Sequence, residues 1–108
     1  MKLGIINDWS EEGFQYVQKK GLEAIEFCVN YYSDSKAFLE KAPEVKALSE
    51  KYGIPVGSTG RWGATRLDEE GNIIEKALQE DMDIIEAASL MGCPVFNCGC
   101  NWVEALTY

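Results

Sequence analysis

Glu26 is the residue in this chain most clearly placed for chemistry. It is a single carboxylate inside the apolar run Ala24-Ile25-Glu26-Phe27-Cys28-Val29. In a strand, side chains alternate between faces, so Ile25 and Phe27 share one face and Ala24, Glu26 and Cys28 the other. A carboxylate on an inner face needs partners or a ligand. Two readings stand: Glu26 orients a substrate hydroxyl or supports a neighbouring base, or it is an internal structural acid paired with Arg or backbone. Arg61 and Trp62 form a second pair of interest. A guanidinium grips phosphate or carboxylate through its planar fork, and an indole stacks on a sugar face. The plainer reading is an exposed Arg and a Trp covering the rim. Asn7 and Trp9 follow the first apolar run, Asn97 and Trp102 the last. With Trp62, the three tryptophans read as a ligand-facing wall. The substrate-binding candidates are therefore Asn7, Trp9, Glu26, Arg61, Trp62 and Asn97. No residue is assigned as catalytic or as a metal ligand.

The elements that would position these residues repeat one grammar. Gly21, Gly53 and Gly92 each close an amphipathic segment, where a left-handed residue is wanted, and a β-branched or aromatic run follows. Strands alternating with helices at this period imply a parallel sheet with right-handed crossovers. Strands are expected at 2–7, 23–29, 54–58 and 94–98. Ser10 is expected to cap a first helix carrying Glu11 and Glu12 in its first turn and Phe14 and Val17 on its buried stripe. Pro43 suggests a short turn at 36–41 before a helix from 43 to 52. A long loop over 59–66 then leads to a third helix capped by Asn72, with Ile74, Ala77, Leu78, Met82, Ile85 and Ala88 at helical spacing. Residues 101–108 read as a loop and the opening of a fourth helix. In such sheets, polar residues after the C-terminal strand ends form the site.

Composition narrows the classes. The 108 residues suffice for one modest domain, and no apolar run approaches a membrane span or a signal peptide. Eighteen acids against ten bases give a net charge of −8, which argues against nucleic acid as a partner. There is no histidine, which removes the commonest acid–base catalyst and metal ligand. The cysteines are Cys28, Cys93, Cys98 and Cys100, expected as thiols in a cytoplasmic protein. Structural zinc usually takes two close pairs or adds His, so Cys93-x4-Cys98-x-Cys100 reads as buried or rim thiols. No glycine-rich phosphate loop is present.

Four stretches together resemble the N-terminal half of the sugar phosphate isomerase/epimerase family, the xylose isomerase-like TIM barrels that include the AP endonuclease family 2 type. They are Lys2-Leu3-Gly4-Ile5-Ile6-Asn7-Asp8-Trp9, Gly21-Leu22-Glu23-Ala24-Ile25-Glu26-Phe27, Lys51-Tyr52-Gly53-Ile54-Pro55-Val56 and Ala87-Ala88-Ser89-Leu90-Met91-Gly92-Cys93-Pro94-Val95. Their order and spacing carry the match across the whole chain. The resemblance implies an α/β fold of parallel (β/α) units, residues 1–108 forming a partial (β/α)8 domain with four strands and three to four helices. It implies a sugar or sugar phosphate substrate, metal-assisted proton transfer, and a divalent Mn, Mg or Zn ion in a full-length member. A full barrel takes about 250 residues. Most metal ligands and both catalytic carboxylates of the family lie on later strands, and Asn97 stands where members often carry His. The chain is therefore expected to be inactive alone and to hold no cofactor by itself. The alternative is a non-catalytic, self-associating half-barrel or sugar-binding module. A repair nuclease fits poorly, since it uses several His. Open sheet edges lead us to expect a homodimer.

Overall fold

The computed structural model describes residues 1–99. Strands and helices alternate as β1 Gly4–Ile6, α1 Glu11–Lys19, β2 Ala24–Cys28, α2 Ser35–Tyr52, β3 Val56–Arg61, α3 Glu75–Leu90 and β4 Phe96–Cys98. All neighbouring strands pair in parallel, in the order β1-β2-β3-β4. Each crossover moves one strand along with the same hand, which keeps the helices on one side of the sheet. The core lies on that side. Phe14 and Val17 of α1, Phe38 and Val45 of α2 and Ile84 of α3 close over Ile25, Phe27 and Val56. Among the described residues, the opposite face has no helix layer.

Local chemistry explains the element ends. The Ser10 hydroxyl accepts the Gly13 N–H at 3.2 Å and starts α1. Gly21, Gly53 and Gly92 follow the three helices with φ of 67°, 64° and 72°. That left-handed turn releases each helix into the next strand.

Four expectations are corrected. α2 runs unbroken through Pro43, instead of starting there. Asp34 caps it, accepting the Lys36 and Ala37 N–H groups at 3.0 Å. Phe38, Ala42 and Val45 anchor the helix to the core on both sides of the exposed proline, so packing outweighs one missing backbone bond. α3 begins at Glu75 and not behind Asn72, because Asn72 is held in the preceding loop by Asp68. The buried face of α3 is Ala77, Asp81, Ile84, Ala87 and Ala88, leaving Leu78, Met82 and Ile85 exposed. Finally, β3 occupies 56–61, so Arg61 belongs to a strand. The pairing shifts register: Ile25 faces Val56 but Glu26 faces Ser58. Gly57 is the extra residue, a bulge that reverses the alternation. Val56 and Ile54 sit in the helix-side core.

Candidate functional site on the open face

The candidate site forms where β2, β3 and β4 end on the face without helices. Burial alternates along β2, with Ile25 and Phe27 buried and Ala24, Glu26 and Cys28 intermediate. Glu26 therefore stands on the open side. Its register partner Ser58 donates a hydroxyl hydrogen bond to Oε2. Glu26 thus has a neutral hydroxyl partner on the adjacent strand, and Oε1 points toward Gly60. A Cβ at Gly60 would lie 3.6 Å from Oε1, 3.2 Å from the Trp62 Nε1 and 3.8 Å from the Asn97 carbonyl oxygen. Three potential ligand contacts converge over a residue with no side chain.

Trp62 is half exposed, and its ring lies against glycine at both ends of its reach. A Cβ at Gly99 would come within 2.7 Å of the ring, so side chains there would displace it. The Trp62 backbone is tied to the loop after β2: its N–H donates to Asn30 Oδ1 at 3.3 Å and its carbonyl accepts the Tyr31 N–H at 3.2 Å. Next to it, Gly63 has φ of 76°, and a Cβ would strike the Tyr31 ring at 2.6 Å. Cys28 completes this face. Burial raises its thiol pKa first, the Glu26 charge raises it further, and a hydrogen bond with Trp62 partly opposes both.

The other candidates divide. Asn7 belongs to the site's edge: its N–H donates to the Glu26 carbonyl at 3.0 Å, tying β1 to β2, and its side chain accepts the Asp8 N–H at 2.9 Å. Asn97 pairs with Gly60 in register and is exposed on β4. Trp9 does not join a ligand-facing wall. Its ring packs on Phe38 of α2, with centroids 4.8 Å apart, against the helix-side core. Trp102 lies outside the described residues, so Trp62 is the one tryptophan placed on the open face among them.

Arg61 departs from the plainer reading of an exposed Arg. It is 1% exposed and turned toward α3, where Nη2 donates to Glu80 and Nε lies 3.4 Å from Asp81. Arg66 grips Asp81 from another side, at 2.6 and 3.2 Å. Sequence reasoning missed these acids. The available signal was Asp81, an acid on the same helical face as Ala77 and Ile84.

The cysteines do not gather. Cys93 is buried, its thiol pKa raised by that burial, and Cys98 is exposed; Cys100 lies outside the described residues. Among the described residues, no three of His, Cys, Asp and Glu come together as a metal-binding group. Glu26 with one thiol does not fit a divalent ion by itself. No helix described is long and apolar enough to cross a membrane.

No family model matches the sequence, and no curated protein does. Solved structures do. The 3-keto-D-glucoside 4-epimerase from E. coli, in its apo form, is 26% identical with a TM-score of 0.62, over 89% of this chain and 36% of that one. A xylose isomerase domain protein from Planctomyces limnophilus is 15% identical with a TM-score of 0.61, over 96% of this chain and 42% of that one. The chain thus spans well under half the length of either protein. Its fold fits the N-terminal half of a xylose isomerase-like TIM barrel.

Proposed function

We propose that this chain forms the first half of a sugar isomerase or epimerase barrel and meets a sugar or sugar phosphate on its open face. The observation that carries this reading is the convergence of the Glu26 carboxylate and the Trp62 indole over Gly60. An indole edge beside a carboxylate suits a sugar, which offers an apolar C–H face and polar hydroxyls together. In this reading Trp62 stacks on the C–H face, Glu26 accepts a substrate hydroxyl while Ser58 holds it in place, and Asn97 and Asn7 contribute polar contacts at the sides. Likeness to the 3-keto-D-glucoside 4-epimerase supports the substrate class. The chain is proposed to orient substrate and to lack turnover by itself, with the proton-moving carboxylates and most ligands of any divalent metal coming from later strands. Three free thiols among the described residues and a net charge of −8 suit a cytoplasmic protein that avoids nucleic acid.

Tryptophan fluorescence during titration with glucose-type sugars and their phosphates tests the reading. Saturable quenching that is lost in Trp62→Ala and weakened about tenfold in Glu26→Gln is expected, since a charge-assisted hydrogen bond is worth about 1.5–3 kcal/mol. Quenching that survives Trp62→Ala unchanged would overturn it.

The sheet face left without a helix layer among the described residues favours a second reading, a self-associating half-barrel. Leu3, Ile6 and Val95 are 65%, 57% and 43% exposed on or beside its edge strands. A two-fold dimer would supply eight strands and bury both edges.

A further inference from the structure

A cleft of about 240 Å³ opens on the helix side of the sheet, between the end of β3, the loop after it and the first turn of α3. Arg61, Gly63, Lys76, Ala77 and Glu80 are among its walls. It meets the open-face site at Gly63 and Tyr31 but is not lined by Glu26, Gly60 or Trp62, and two independent observations give it a chemistry. The first is Arg61. Nη2 donates to Glu80, while Nε, 3.4 Å from Asp81, and Nη1 are both buried without a hydrogen-bond partner among the described residues. A guanidinium N–H removed from water calls for an acceptor.

The second is the start of α3. Its N-cap is Ile74, in the extended conformation usual for a cap (φ −83°, ψ 101°) but with no side-chain acceptor to offer. The first-turn residues Lys76 and Ala77 border the cleft. Helix N-termini present free N–H groups and partial positive charge, which together favour an anion. The surrounding charge agrees. Arg61, Arg66 and Lys76 face the carboxylates of Glu80 and Asp81, one cation more than the acids. Arg66 is committed to Asp81, and Lys76 stands 3.8 Å from Glu80 with its side chain 86% exposed. Glu75 opposes an anion, but it is exposed and does not line the cleft.

We propose that this cleft binds a small oxyanion of the phosphate class. Arg61 Nη1 and the first-turn amides of α3 donate to it, and Lys76 closes its outer side. The phosphate is either free or the phosphoryl group of a sugar ester.

The test is an amide NMR titration of the full chain in phosphate-free buffer, with inorganic phosphate in one arm and glucose 6-phosphate in the other. Saturable shifts at the Gly63, Lys76 and Ala77 amides are expected. Lys76→Glu alters an exposed side chain and should weaken binding about fivefold. Ile74→Ser gives the helix its own capping hydroxyl and should weaken binding as well, because the amides are then already satisfied. Both variants alter exposed or partly exposed positions and should keep the dispersed spectrum of the folded chain. Tighter binding of glucose 6-phosphate than of inorganic phosphate would assign the site to a sugar ester, and equal or weaker binding to free phosphate. The absence of saturable shifts at these amides, or shifts unchanged by both variants, would overturn the proposal. Trp62→Ala should leave this titration unchanged, so failure here is distinguishable from failure of the open-face reading.

Discussion

Cys28 and Glu26 stand two residues apart on one strand face, and the thiol lies in the field of the carboxylate. Because only the thiolate attacks electrophiles, a raised pKa means slow alkylation. At mildly alkaline pH, iodoacetamide should modify exposed Cys98 well before Cys28, as followed by peptide mass spectrometry. Glu26→Gln should speed modification of Cys28; equal rates for the two cysteines in the wild type would contradict this account. On the other side of the sheet, Asp81 neutralises parts of both Arg61 and Arg66. Asp81→Ala would leave a buried guanidinium short of its counter-charge, and such breaks cost about 3–5 kcal/mol. Urea unfolding should show the loss. Asp68 offers a pH test. Hydrogen bonds from Asn72, the backbone one foremost, lower its pKa. A depressed folded-state pKa adds stability above the unfolded-state value and loses it as pH falls through the folded one. Asp68→Asn should therefore be less stable than wild type near neutrality, and the two melting curves should converge in acid.

Among the elements, α2 shows how packing decides a boundary. Its eighteen residues contain Pro43, yet buried Phe38, Ala42 and Val45 hold the helix on both sides of it. Pro43 is exposed, so replacing it removes little packing. Pro43→Ala should stabilise the chain by about 1–3 kcal/mol, restoring a backbone donor and relieving the ring. A lower urea midpoint in that variant would mean that the proline shapes the helix path usefully. α3 makes a different point. Its buried face is turned by the ion pairs of Glu80 and Asp81, so Leu78, Met82 and Ile85 remain 44%, 51% and 41% exposed. Hydrophobic spacing alone favours the stripe that the structure leaves in solvent.

For the whole molecule, four strands make an arc of sheet with helices on one side only among the described residues. β1 and β4 are both edges, and unpaired edge groups invite another chain. The apolar surface left on and near them favours association at ~25 cal/mol per Å² buried. Light scattering at micromolar concentration should report a species larger than the 12.1 kDa monomer. Ile6→Lys, placing a charge on the edge strand, should shift the chain toward monomer. A monodisperse monomer in the wild type would remove self-association from consideration.

Much of this architecture was legible in residue order. The three glycine stops were readable because only glycine takes a left-handed turn without strain, and all three have positive φ. Strand–helix alternation was readable from spacing, and the outward turn of Ile25 and Phe27 from the two-residue period of a strand. Glu26 followed from the same period. What the tertiary structure decided were the partners and the sides. Gly57 shifts the β2–β3 register, so the face of Val56 and Arg61 depends on pairing with another strand and not on local alternation. Arg61 finds Glu80 nineteen residues away, a contact set by the packing of α3 on β3. Trp9 follows a strand as a site residue would, but Phe38 takes its ring into the core. Local periodicity specifies which way a side chain points relative to its neighbours, whereas what it meets depends on elements that only folding brings together.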